Sequence, residues 1–212
     1  MEAPSDKKGE RMMQGVQETP FVELKHISKS FPGVKVLEDI SIPFYRGKVH
    51  VLLGENGAGK STIIKMISGI YQPDEGEVLI EGKNEHLTNI RQARKFGISV
   101  IHQELSVIDD LRVYENVFLG RELKSGGFVD AARMIRETKE LMEAIEIDID
   151  PKAYIRDLNN GAKQMVEIVR AVSQNSRMVI MDEPTSSLSD HEVQALFKVM
   201  RKLKSENVAI IY

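Results

Sequence analysis

The chain has 212 residues, 42% hydrophobic and 29% charged, which suits a globular protein of one domain or one domain with an inserted lobe. It has no cysteine, which excludes disulfides, thiol catalysis and cysteine metal sites. A net charge of −3 offers no basic footprint for nucleic acid, and no apolar run reaches the ~20 residues that span a bilayer.

Residues 1–20 are polar and charge-rich, without apolar periodicity, and read as a disordered tail or leader. They lack the apolar core of a signal peptide, so a cytoplasmic protein is expected. Residues 21–31 alternate apolar and polar, the pattern of a strand with Val22, Leu24 and Ile27 inward. Phe31 falls near its end, where an aromatic ring could stack on a purine or serve as an ordinary core residue. Pro32-Gly33 turns the chain into a second strand, 34–44, and Arg46-Gly47 turns it again. Residues 48–53 are apolar and β-branched, which predicts a buried strand.

The next nine residues are Gly54, Glu55, Asn56, Gly57, Ala58, Gly59, Lys60, Ser61 and Thr62. They match the phosphate-binding signature G-x-x-x-x-G-K-[ST]. The glycines allow a tight backbone concavity whose N–H groups converge on phosphate oxygens at the start of the following helix. Lys60 supplies a point charge for the β- and γ-phosphates, and the Ser61 hydroxyl a ligand for Mg²⁺. A strand before the loop and a helix over 61–68, ended by Gly69, are the context the motif requires; the alternative is a chance glycine turn.

Residues 72–76 form a turn and 77–80 a short strand closed by Glu81-Gly82-Lys83, followed by a helix over 88–96. A buried strand over 97–101 then runs into His102-Gln103-Glu104. The C-terminal end of a parallel strand is where ligands sit in open α/β sheets, so Gln103 is either a ligand to Mg²⁺ or water, or a plain loop amide. From 105 to 175 helical signals dominate: a helix at 113–119, a loop at 125–127, and a helix over 130–147 with Ala131, Ile135, Leu141, Met142 and Ile145 on one face. A polar turn at 158–164 precedes a helix over about 162–173, with Asn159 or Asn160 as its cap. The apolar run 178–181 is a buried strand that delivers Asp182 and Glu183. In a phosphate-loop protein the first acid holds Mg²⁺ and the second orients the attacking water. Ser189 to Glu192 is a capping box opening a helix with Val193, Leu196, Phe197, Met200 and Leu203 as its stripe. Residues 208–212 form a final buried strand without a following turn, so the domain is expected to be truncated there.

This set of motifs resembles the ATP-binding subunits of ABC transporters over about 21–212, and most of all the importers of simple sugars such as ribose, galactose and xylose. The resemblance implies an α/β fold: a P-loop NTPase (RecA-like) core at 21–104 and 176–212, with an antiparallel β subdomain and an inserted α-helical subdomain at about 105–175. It implies ATP and Mg²⁺ as ligands. Phe31 would stack on adenine, with Val36 beside the nucleotide and residues 54–62 on the phosphates. Gln103, Ser61 and Asp182 would face Mg²⁺, and Glu183 would be the catalytic base. Residues 104–120 would dock on transmembrane permease subunits at the inner face of the membrane, with no nucleic-acid partner. A second ATPase domain, fused or from a second copy, would pair head to tail, so that 158–162 closes over the partner's γ-phosphate. This chain would be the first of two such halves.

Three departures are visible. Where the family has L-S-G-G-Q, only Leu158 and Gly161 survive, the serine being Asn159 and the next glycine Asn160. Ser189 stands in the place of the usual aspartate. The family's switch histidine would lie beyond Tyr212. The chain is therefore expected to bind ATP better than it hydrolyses it. A non-transport ABC ATPase and a weakly hydrolysing nucleotide sensor are the alternatives.

Overall fold

The computed structural model describes residues 18–55, 57–85, 87–102, 105–185 and 188–212. Two sheets organise it. The first is antiparallel, from β1 (Val22–Phe31), β2 (Val34–Phe44), β4 (Glu75–Ile80) and β5 (Lys83–Asn84), in the order β2-β1-β4-β5. The second is parallel, from β3 (Val49–His50), β6 (Ile98–Ile101), β9 (Met178–Met181) and β10 (Ala209–Ile211), in the order β3-β10-β9-β6.

The parallel sheet is the middle layer, and residue parity assigns its side chains to two cores. Met178, Ile180, Ala209 and Ile211 face one core, with Val22, Leu24 and Ile27 of β1 and Ile63, Ile64 and Ile67 of α1 (Lys60–Ile67). Val179, Met181 and Ile210 face the other, formed by α3 (Val113–Val117), α4 (Ala131–Glu143), α5 (Asn160–Val172) and α6 (Asp190–Ser205). The all-apolar run 178–181 is explained by this placement, because a strand covered on both faces needs no polar side. A short helix α2 (Ile90–Lys95), capped by the Asn89 side chain, leads into β6.

In β1 the inward residues Val22, Leu24 and Ile27 are all fully buried. They do not share one parity. The register shifts beyond Leu24, where His26 takes φ 52°, and the bulge returns Ile27 to the core.

Four expectations need correction. Residues 48–53 are not a buried strand: β3 lies at the edge of its sheet, with Val51 52% and Leu53 88% exposed. The loop at 125–127 sits in a small hairpin of β7 (Lys124–Ser125) and β8 (Phe128–Val129), too short for sequence periodicity to reveal. On α4 the buried residues are Met134, Thr138 and Met142, with Ile145 just beyond, whereas Ala131, Ile135 and Leu141 lie at the border. On α6 Phe197 is exposed and Val199 takes its place in the core. The apolar stripe of each helix is rotated by about one residue, because tertiary packing decides which border residue is covered. The tail expected at 1–20 falls largely outside the described residues.

His50 on β3 offers a test of local packing. Its Nε2 accepts the Tyr45 N–H at 2.8 Å, and its ring lies 5.3 Å from that of Phe44. Burial pushes the imidazole pKa below its ordinary value; the Tyr45 carbonyl opposes this and the Lys48 ammonium adds to it. The unfolded chain therefore takes up the His50 proton at higher pH than the folded chain does. Stability should be complete above the unfolded pKa of about 6.5 and fall as pH drops below it. Thermal midpoints at about pH 7.5 and about pH 5.5 should differ less in His50→Gln than in the unsubstituted chain. Equal pH dependence in the two proteins would show that His50 carries no such term.

Candidate active site

The phosphate-binding signature lies at the C-terminal edge of the parallel sheet. Beyond β3 the backbone stays beside β10: the Tyr212 N–H donates to the His50 carbonyl and the Leu52 N–H to the Tyr212 carbonyl, both at 2.9 Å. The loop then turns tightly, with Gly57 at φ 87° and Gly59 at φ 88°. A Cβ on Gly59 would lie 2.5 Å from Leu37 Cδ2, so glycine is required there for both conformation and space. No side chain caps α1, so the N–H groups of its first turn are left for a ligand or water. Lys60 folds back across the loop, donating from Nζ to the carbonyls of Gly54 and Glu55 at 2.5 and 2.9 Å.

Beside this loop is a cavity of about 390 Å³, within the range of small-ligand pockets. Lys60, Ser61 and Thr62 line it together with Phe31 and Val36, and Gly57, Gly59 and Glu183 are also on its wall. Residues 30 apart in sequence thus meet because β1 ends next to the start of α1. Phe31 is held from two sides. Asp74 accepts the Ser30 N–H at 2.7 Å and the Lys29 ammonium, fastening the 72–76 turn to the end of β1. The Lys29 ammonium, then the Ser30 N–H, hold the Asp74 carboxyl below the usual range. Tyr71 meets the Phe31 ring edge-on, 5.3 Å between centroids and 62° between planes.

Tyr71 and Lys65 also line the cavity, and sequence reasoning missed both. Lys65 is one of several surface lysines in the sequence, and only its Nζ, 5.4 Å from the Tyr71 ring, marks it as part of this wall. Tyr71 had a weak signal as an aromatic just past the Gly69 helix stop.

The acidic pair arrives from β9. β9 and β6 run in register, Ile101 opposite Met181, and the Asp182 N–H donates to the Ile101 carbonyl at 3.0 Å. Asp182 and Glu183 line a second hollow of about 350 Å³ together with Lys60, Leu53 and Tyr212. Glu183 takes φ 48°, uncommon for a residue with a side chain, and faces both hollows. Among the described residues no group of three or more His, Cys, Asp or Glu could cage a metal. One hydroxyl and one or two carboxylates beside a phosphate site fit Mg²⁺, which keeps several waters and takes its remaining ligands from phosphate.

Asn159 and Gly161 stand elsewhere, on neither wall. Asn159 caps α5, its Oδ1 accepting the Ala162 N–H at 2.7 Å. Gly161 is pressed against α6: a Cβ there would lie 2.3 Å from the Glu192 carboxylate, which itself closes the capping box with Ser189. Asn56 and Gln103, both expected at the site, lie outside the described residues.

A glycine loop leading from a parallel strand into α1, with an acidic pair at the end of β9, separated from β3 by β10, defines a P-loop NTPase. Comparison with known proteins agrees. The ABC transporter family model matches residues 37–186. The ribose import ATP-binding protein RbsA of Clostridium tetani is 46% identical over 201 residues, 94% of this chain and 40% of that protein. The galactose/methyl galactoside import ATP-binding protein MglA of Clostridium perfringens is 44% identical over 91% of this chain and 37% of that protein. Among solved structures, an ATP-binding cassette of an ABC transporter in its ADP conformation superposes with a TM-score of 0.78, at 25% identity, over 90% of this chain and 79% of that one. The chain belongs to the ABC transporter family, and it spans about 40% of the length of the curated relatives it matches.

The cradle predicts its own sensitivity. Gly59→Ala must hold an alanine in the left-handed region and displace Leu37, costing about 1–2 kcal/mol for the backbone alone. Urea denaturation of the chain measures this as a lower midpoint with unchanged slope; an unchanged midpoint would mean that the loop relaxes freely.

Proposed function

We propose that the chain binds ATP in the cavity beside α1 and forms part of an ATPase that powers import of a simple sugar. The observation that carries this reading is the shared wall of Phe31, Lys60, Ser61 and Glu183. It has an aromatic surface for a base together with a lysine, a helix start and a carboxylate. The base would stack on Phe31 beside Val36, and the phosphates would lie along residues 54–62. Lys60 would exchange its carbonyl partners for phosphate oxygens. Glu183 would accept a proton from the water that attacks the γ-phosphorus, while Lys60 and the loop N–H groups offset the charge on the departing oxygens. Ser61 and Asp182 would hold Mg²⁺, with Gln103 beside them, and the ion would supply neutralising charge to the phosphates.

The transport role rests on the relatives, which are import proteins by name. The permease surface is assigned to residues 104–120, where Ile108 and Leu119 are 44% and 40% exposed. Among the described residues no helix is long and apolar enough to cross a membrane, so membrane attachment would come through that permease. The lobe at 105–175 would be the mobile subdomain, and a second ATPase domain, fused or a second copy, would complete the site head to tail. A second reading, a nucleotide sensor with weak hydrolysis, is favoured by one observation. The Asn159 side chain is fixed on its own helix by its Oδ1, which accepts the Ala162 N–H, so its amide Nδ2 stands where the family's serine would offer a shorter hydroxyl donor to a partner's phosphate.

Two measurements follow. In the complete subunit with its permease, Glu183→Gln should lower ATP turnover about 10²–10⁴-fold, the usual contribution of a general base, with ATP affinity little changed. Undiminished turnover would remove Glu183 from the mechanism. Phe31→Ala should weaken ATP binding about 5- to 150-fold, the size of one lost base stack, yet leave tripolyphosphate binding unchanged. Equal losses for both ligands would mean that Phe31 shapes the loop and does not stack.

A further inference from the structure

The helical side of the parallel sheet contains a charged group that the proposed reaction does not use. Glu167, in the middle of α5, is 2% exposed. Its Oε1 accepts the Ser106 backbone N–H at 2.7 Å and the Ser106 hydroxyl. Arg170, one turn further along α5, donates from Nη2 to the same Glu167 oxygen at 3.2 Å and also bonds the Ser106 hydroxyl and carbonyl. The other oxygen, Oε2, is buried without a hydrogen-bond partner among the described residues. So is Nε2 of Gln164, one turn earlier on the same helix and also 2% exposed.

Burying a carboxylate with one oxygen unpaired is costly, and an apolar side chain of similar volume is often as stable or more so. The arrangement makes sense as a positional device. Ser106 lies five residues beyond the end of β6, and β6 ends beside Asp182 and Glu183. The helix that grips Ser106 is the one whose N-terminus carries Asn159, Asn160 and Gly161. Among the described residues the Lys163 ammonium also reaches Asp109 at 2.7 Å, and the Ile155 and Arg156 N–H groups, in the turn before α5, donate to the Leu111 and Asp109 carbonyls at 3.1 Å; Glu167 makes the contact closest to β6.

We propose that Glu167 is a positioning residue that ties the chain leaving β6 to α5, so that occupancy of the nucleotide cavity is felt at the α5 N-terminus. The inference rests on the ATP-binding reading above. Loss of Glu167 should uncouple the two regions without emptying the cavity, because Glu167 touches none of its lining residues.

The test is hydrogen–deuterium exchange of the chain with and without Mg·ATP. In the unsubstituted chain nucleotide should slow exchange in the phosphate loop and, by about fivefold or more, in the first turns of α5, fivefold being the lower end of ordinary coupling between two sites. In Glu167→Gln the loop should keep its protection while α5 loses the nucleotide-dependent part. Ser106→Ala, which removes the hydroxyl but keeps the backbone N–H, should lose only a fraction. This milder variant keeps the test decisive if Glu167→Gln folds poorly: an α5 response left intact in Ser106→Ala then overturns the proposal, as an intact response in a folded Glu167→Gln does. The proposal also fails if α5 does not respond to nucleotide in the unsubstituted chain although the loop does. Absence of protection in the loop itself would instead remove the ATP-binding reading.

Discussion

The Lys60 ammonium is the charge on which the site depends. In the described structure it is not solvated at random but donates to two carbonyls of the loop that precedes it, Gly54 and Glu55. A flexible four-carbon stem is thereby held across the mouth of the cradle, with its charge where phosphate oxygens would otherwise meet only backbone. That position needs Gly59 to pass close to Leu37, and it needs α1 to start at once, without a side-chain cap competing for its N–H groups. The fold supplies the rest. The antiparallel sheet brings Phe31 to the cavity wall, and the central parallel sheet brings Glu183 to it.

The middle layer makes this possible. β9 and β10 are buried on both faces, so the strand that leads into the acids is held by close packing on each side. Asp182 follows directly on β9 and is pinned to β6 by its own N–H. The aromatic wall is built from an edge-on ring pair and a turn fastened by an ion pair whose carboxylate is exposed. Ion pairs exposed to water contribute little to stability.

Much of this was legible in the sequence, for a physical reason. The phosphate loop and the acidic pair are local motifs, each written into a few adjacent residues with a strand before it, and local rules fix them. The N-cap at Ser189 was legible for the same reason, and that of α5 to within the pair Asn159 and Asn160. What was not legible depends on distant neighbours. Leu53 reads as core by composition but lies exposed beyond the short edge strand β3. Phe197 and Ile135 satisfy the helical period, yet their neighbours Val199 and Met134 are the residues covered. Lys65 and Tyr71 became site residues only when β1 was laid beside α1, and Glu167 reads as one more charge on a helix until its burial is seen.

The central claim is that nucleotide lies between Phe31 and Lys60. A crystal structure of the chain with Mg²⁺ and a non-hydrolysable ATP analogue tests it most directly. The account predicts adenine against the Phe31 ring, phosphates along 57–62, and the Lys60 ammonium moved from the Gly54 and Glu55 carbonyls onto phosphate oxygens. Nucleotide bound at another surface, with Lys60 still on those two carbonyls, would contradict it.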